Sequence, residues 1–103
     1  MPNRGVRVIA KKTLVAFYTA NPGAKTALED WYRKVSDANW NNFSDVRNTF
    51  NSADGVGNKR YVFNIKGNNY RVVTIVLFVA KRVYIRFVGT HSDYNKIDDI
   101  QNI

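Results

Sequence analysis

His91 is the only histidine in this sequence, and Tyr94 follows it three positions later. On a helix that spacing puts an imidazole and a phenol on one face. Such a pair can take, give or position a proton. A lone histidine more often caps or packs, so its surroundings decide what it is for. Between Asp54 and Asp93 the chain has no acidic residue, and those 38 positions hold seven bases: Lys59, Arg60, Lys66, Arg71, Lys81, Arg82 and Arg86. An uncompensated positive field of that size suits a polyanion. Proton-handling groups at the end of a basic stretch point to chemistry on nucleic acid or to binding of it.

These side chains need elements to hold them. Thr90-His91-Ser92-Asp93 reads as a capping box in its Asp variant, which predicts a helix beginning at His91. Upstream, alternating Tyr, Val, Phe and Ile predict three strands: Arg60 to Ile65, Tyr70 to Val79, and Arg82 to Val88. Lys66-Gly67-Asn68-Asn69 joins the first pair as a hairpin loop, and a tight Ala80-Lys81 turn joins the second. On the last strand Val83, Ile85 and Phe87 are expected to point one way and Arg82, Tyr84 and Arg86 the other. One face is then core. The other is a basic aromatic groove, extended by Arg71 or Lys66.

The first half supplies the cover. Val6 to Ala10 reads as a short strand, and Lys11 to Ala20 as a helix with Leu14, Phe17 and Tyr18 at spacings of three and four, closed by Asn21-Pro22-Gly23. From Ala24 to Ala38 a second apolar stripe runs through Leu28, Trp31 and Val35. Two helices so connected predict an antiparallel hairpin on one face of the sheet. Between Asn39 and Asn58 the pattern loosens, with Trp40, Phe43, Val46 and Phe50 as anchors, a helical turn from Ser44, and a glycine-containing mobile loop at Asp54 to Asn58. That loop lacks the Gly-Lys-Ser/Thr ending of a phosphate-binding P-loop. The fold class expected is α+β.

Composition narrows the classes further. A chain of 103 residues is read as one domain, 1–103, and its 45% hydrophobic and 14% aromatic content suffices for a core. A formal charge of +8 and an isoelectric point near 10.0 favour nucleic acid or an acidic protein over a neutral metabolite. One His and no Cys exclude a usual zinc site, thiolate chemistry and a disulfide framework, and they fit a cytoplasmic setting. Val72 to Ala80, the longest uncharged apolar run, is under half the ~20 residues a spanning helix needs, so no membrane is expected. Lys11 and Lys12 interrupt any signal-peptide core.

Several segments, in order, resemble one family. Tyr61-Val62-Phe63-Asn64-Ile65-Lys66-Gly67-Asn68, then Tyr70-Arg71-Val72-Val73, then Tyr84-Ile85-Arg86-Phe87-Val88-Gly89-Thr90-His91 with Tyr94 after it, are similar to the HigB toxins of bacterial type II toxin-antitoxin systems. The opening Val8-Ile9-Ala10-Lys11-Lys12 is similar as well. The resemblance implies a RelE-like fold: a small, mostly antiparallel sheet, an N-terminal helical hairpin on one face and a short C-terminal helix. It also implies a ribosome-dependent endoribonuclease that cuts mRNA during translation without a metal or other cofactor. A helix-turn-helix antitoxin of the HigA type would neutralise it, and operator DNA would be met only through that partner. Arg71 occupies the place of an active-site arginine of the wider group, and His91 and Tyr94 resemble its basic residue and tyrosine after the last strand. The departure is acidic: some relatives use a Glu as base, and no carboxylate stands between Asp54 and Asp93.

Metal-free cleavage needs the 2′-hydroxyl deprotonated, the leaving 5′-oxygen protonated and the phosphorane charge stabilised. His91 is then assigned as base or acid, Tyr94 as a positioning or proton-transfer group, and Arg71 and Arg86 as phosphate holders. Lys59, Arg60, Lys66, Arg82 and Lys96 are assigned to flanking phosphates of mRNA or ribosomal RNA, and Tyr84 to stacking on a base. Two other readings share these residues. One is a non-catalytic RNA- or ribosome-binding module, and the other a gyrase-inhibiting toxin of the ParE type.

Overall fold

A computed structural model describes residues 6–103. It holds a five-stranded sheet with helices, an α+β architecture. In chain order the elements are β1 (Arg7–Ile9), α1 (Lys11–Ala20), α2 (Lys25–Asp37), α3 (Phe43–Thr49), β2 (Asp54–Gly57), β3 (Arg60–Ile65), β4 (Tyr70–Leu77), β5 (Arg82–Thr90) and α4 (His91–Tyr94). The sheet order is β1-β5-β4-β3-β2; β1 runs parallel to β5 and every other pair is antiparallel.

The apolar spacing of the helices explains where they lie. Leu14 of α1 and Leu28, Trp31 and Val35 of α2 are buried, in one cluster with Phe63, Val72, Val76, Val83 and Ile85 of the sheet. Phe63 is the hub: Trp31 and Phe50 meet it edge-on with centroids 5.3 Å away, and Trp40 stacks parallel to it at 6.2 Å. Full burial contributes about 1.5–3 kcal/mol for a side chain such as Leu28 or Phe63. Pro22–Ala24 forms a 3-10 turn between the two helices, with proline at a first-turn position where its missing N–H costs nothing. α3 begins at Phe43, one residue before the expected turn, because the Asn42 side chain accepts the Asp45 backbone N–H at 3.0 Å and caps it.

Two expectations about the sheet need correction. Asp54 to Asn58 is no mobile loop: its first four residues are β2, paired with β3. The glycines permit this. Gly55 passes the Tyr61 ring so closely that a Cβ would sit 3.3 Å from a ring carbon, and Gly57 (φ +100) starts the reversal that Asn58 and Lys59 complete at φ 51 and 66. Likewise β4 stops at Leu77 and Phe78 to Lys81 make a longer turn than Ala80-Lys81 alone, with Lys81 at φ 58. There Lys81 Nζ donates to the Trp40 carbonyl at 2.6 Å.

β5 also departs from simple alternation. Thr74 pairs with Ile85 and Val73 with Phe87, so Arg86 is an extra residue in β5, a bulge. Past it the faces exchange. Val88, opposite Val72, takes the place on the helix side that alternation gives to Phe87, while Phe87 joins Gly89 on the other face.

Candidate active site

The far side of the sheet from the helices carries the residues that matter. Along it the register sets Asn64 opposite Arg71 and Arg71 opposite Gly89, with Asp54 opposite Val62 one row away. Gly89 is buried, and a Cβ there would come 2.6 Å from Cζ of Phe87, so glycine leaves that ring the space beside it. Right after Gly89, Thr90 caps α4: its hydroxyl accepts the Asp93 N–H at 3.0 Å, as the capping box predicts. The His91 N–H donates to the Asn69 carbonyl at 3.1 Å, which fastens α4 to the β3–β4 loop.

α4 lowers Tyr94 onto Arg71. The guanidinium carbon lies 5.6 Å from the centroid of the Tyr94 ring, within cation–π range. Arg71 is only 9% exposed, and its Nη1 donates to the carbonyls of Asn68 (3.3 Å) and Tyr70 (3.4 Å). Among the described residues only that nitrogen is engaged, so Nε and Nη2 remain for an anion. Arg71 and Tyr94 form one wall of a cleft of about 430 Å³, floored by Val62 and Asn64 and closed by Arg47, Ser52, Ala53 and Asp54. Arg47 is held by its Nε donating to the Asn51 carbonyl at 2.9 Å.

His91 sits on the first turn of the same short helix, half-buried, and does not line the cleft wall. The amide nitrogen of Asn95 lies 3.1 Å from its Nδ1. That contact fixes the orientation of the imidazole ring.

The other basic residues are scattered. Arg86 is turned away from the cleft: its Nε donates to the Ile103 oxygen at 3.1 Å, and Arg60 donates to the same oxygen at 2.7 Å. Gln101 reaches β2 as well, donating to the Val56 carbonyl at 2.8 Å, so residues 101–103 cross that end of the sheet. Lys66 Nζ donates to Gly23 at 3.1 Å on the helix side, and Lys96 lies 4.0 Å from Asp93. Lys59 and Arg82 are exposed, with Tyr84 half-buried beside Arg82 on the strand. Arg82 opposes Leu77 and Arg71 opposes Gly89, so the expected continuous groove from Arg71 to Arg82 is two separate regions at opposite ends of β4.

Four polar cleft residues were given no functional role by the sequence: Arg47, Ser52, Asp54 and Asn64. Asn64 was visible as the polar partner on an alternating strand. Arg47, Ser52 and Asp54 were not, because only the β2–β3 pairing brings that segment to Arg71. Among the described residues no three or more His, Cys, Asp or Glu cluster as metal ligands, and no helix is long and apolar enough to cross a membrane.

Comparison with known proteins adds the family. The family model for the HigB toxin, the RelE-like toxic component of a toxin-antitoxin system, matches residues 24–97. The chain is 28% identical over 94 residues to the mRNA interferase HigB of Escherichia coli O6:H1, covering 89% of this chain and 91% of that one. It is 32% identical over 92 residues to the mRNA interferase toxin HigB of Escherichia coli strain K12 and to the mRNA interferase HigB of Shigella flexneri, covering 87% of this chain and 88% of each. The matched span runs from the start of α2 through β5 and α4, and with it the Arg71–Tyr94 wall: the chain belongs to the HigB toxin family.

Proposed function

We propose that this toxin is an mRNA endoribonuclease that works on translating ribosomes by in-line attack of a 2′-hydroxyl on the adjacent phosphate. The observation that carries the reading is the Arg71–Tyr94 contact at the mouth of a polar cleft, one helical turn from the only histidine. Arg71 neutralises the charge that grows on the phosphorane, and its burial makes that interaction stronger than it would be in water. Tyr94 orients the guanidinium and adds a hydroxyl at the rim. His91, as imidazolium, protonates the leaving 5′-oxygen and is left neutral. The relatives' names, mRNA interferase, support the substrate class.

With so few groups at the site, the ribosome supplies alignment of the RNA. A helix-turn-helix antitoxin of the HigA type is the neutralising partner. Sequencing 5′ ends of cellular mRNA after brief induction tests the reading: new ends should fall inside translated regions, and growth should stop. Efficient metal-dependent cutting of free RNA by the pure protein would overturn it.

A further inference from the structure

Asp54 lies in the cleft with Arg71, Arg47 and Tyr94, and nothing in the basic stretch downstream offers a second carboxylate there. Its side chain is exposed, and among the described residues it makes no hydrogen bond and no ion pair, although two arginines line the same cleft. The sheet explains the separation. Asp54 opposes Val62, two residues from Asn64, which opposes Arg71, so the two side chains stand two strands and two residues apart. At the usual strand spacing and rise, that is roughly 12 Å between Cα atoms. Asp54 and the Arg71 guanidinium therefore share one cleft without pairing, which leaves the carboxylate free to meet the sugar of a phosphate held by Arg71.

We propose that Asp54 takes the proton from the attacking 2′-hydroxyl, an inference that rests on the cleavage reading above. The 2′-oxygen forms its bond to phosphorus as its proton passes to an Asp54 carboxylate oxygen. The bond from phosphorus to the 5′-oxygen breaks, and that oxygen takes a proton from the His91 imidazolium, which is left as neutral imidazole. The products are a 2′,3′-cyclic phosphate and a 5′-hydroxyl, with Arg71 holding the non-bridging oxygens throughout. Asp54 has to be unpaired for this: a carboxylate clamped by Arg71 or Arg47 would hold its lone pairs away from the hydroxyl.

The test is single-turnover cleavage on saturated ribosomes with two versions of one mRNA, normal and with sulfur in place of the 5′-bridging oxygen at the mapped cut site. A sulfur leaving group departs without protonation, so it separates the two proton transfers. Asp54→Asn should slow both substrates by about 10²- to 10⁴-fold, the usual worth of a general base, and Asp54→Glu should restore part of the rate. His91→Ala should be slow on the oxygen substrate and recover on the sulfur one. The proposal is overturned if Asp54→Asn cuts at the wild-type rate, if it weakens only half-saturation by ribosomes, or if sulfur restores it fully. Those results leave the cleavage reading standing, whereas failure of the wild-type protein to cut either substrate removes both.

Discussion

At the scale of single residues, the proposed site would depend on a guanidinium that is fixed in advance. Two backbone carbonyls and the Tyr94 ring hold Arg71 in place, so little reorganisation is left for the reaction. Arg71→Ala should therefore slow the saturated rate by about 10²- to 10³-fold. Arg71→Lys should recover little of it, because an ammonium keeps the charge but not the planar fork that meets two phosphate oxygens. Single-turnover rates on saturated ribosomes decide this, and a lysine variant near the wild-type rate would show that charge alone suffices. Arg47 lines the same cleft; Arg47→Ala should raise the ribosome concentration needed for half-saturation more than it lowers the saturated rate.

At the scale of elements, α4 and the end of β5 hold the site in register. Thr90→Ala removes the cap from a helix of four residues, a loss of about 0.5–2 kcal/mol that loosens His91 and Tyr94 together. The saturated rate should fall while the urea midpoint shifts modestly, and Thr90→Ser should restore both. Gly89→Ala should destabilise by about 1–3 kcal/mol through overpacking, since its methyl would meet the Phe87 ring. Combining it with Phe87→Leu should cost less than the sum of the two single changes, as measured by a denaturant double-mutant cycle. Much of this level was legible beforehand: the Thr90 cap, the strands Arg60 to Ile65 and Tyr70 onward, and the stripe through Leu28, Trp31 and Val35 all follow from local spacing. The bulge at Arg86 was not, because alternation counts positions and a bulge is set by what the neighbouring strand pairs with. For the same reason Asp54 read as loop: two glycines look like flexibility until an aromatic ring on the next strand needs the space beside them.

At the scale of the whole molecule, the charge of +8 is spread more widely than the cleft requires. Lys59 and Arg82 remain exposed near the end of the sheet opposite Arg71, while Arg60 and Arg86 are occupied by Ile103. Lys59→Ala and Arg82→Ala should weaken ribosome association and flatten its dependence on salt, by roughly one unit of log–log slope for each phosphate no longer neutralised, with the saturated cutting rate nearly unchanged. Titration of ribosome binding at several ionic strengths checks this; a failed chemical step with binding intact would count against it. The single extra residue at Arg86 also sets how the strand tolerates change. In a saturation library, positions 83, 85 and 88 should be filtered by solubility and melting temperature, and positions 87 and 89 by toxicity. Deleting position 86 would leave those two columns in place, because Phe87 opposite Val73 and Val88 opposite Val72 already continue the register that Ile85 opposite Thr74 begins. Such a chain keeps every apolar residue of the toxin on its present face and loses only the bulge and the Arg86 contact with Ile103, so it should fold and still arrest growth, and a folded but harmless deletion variant would show that the bulge itself is needed.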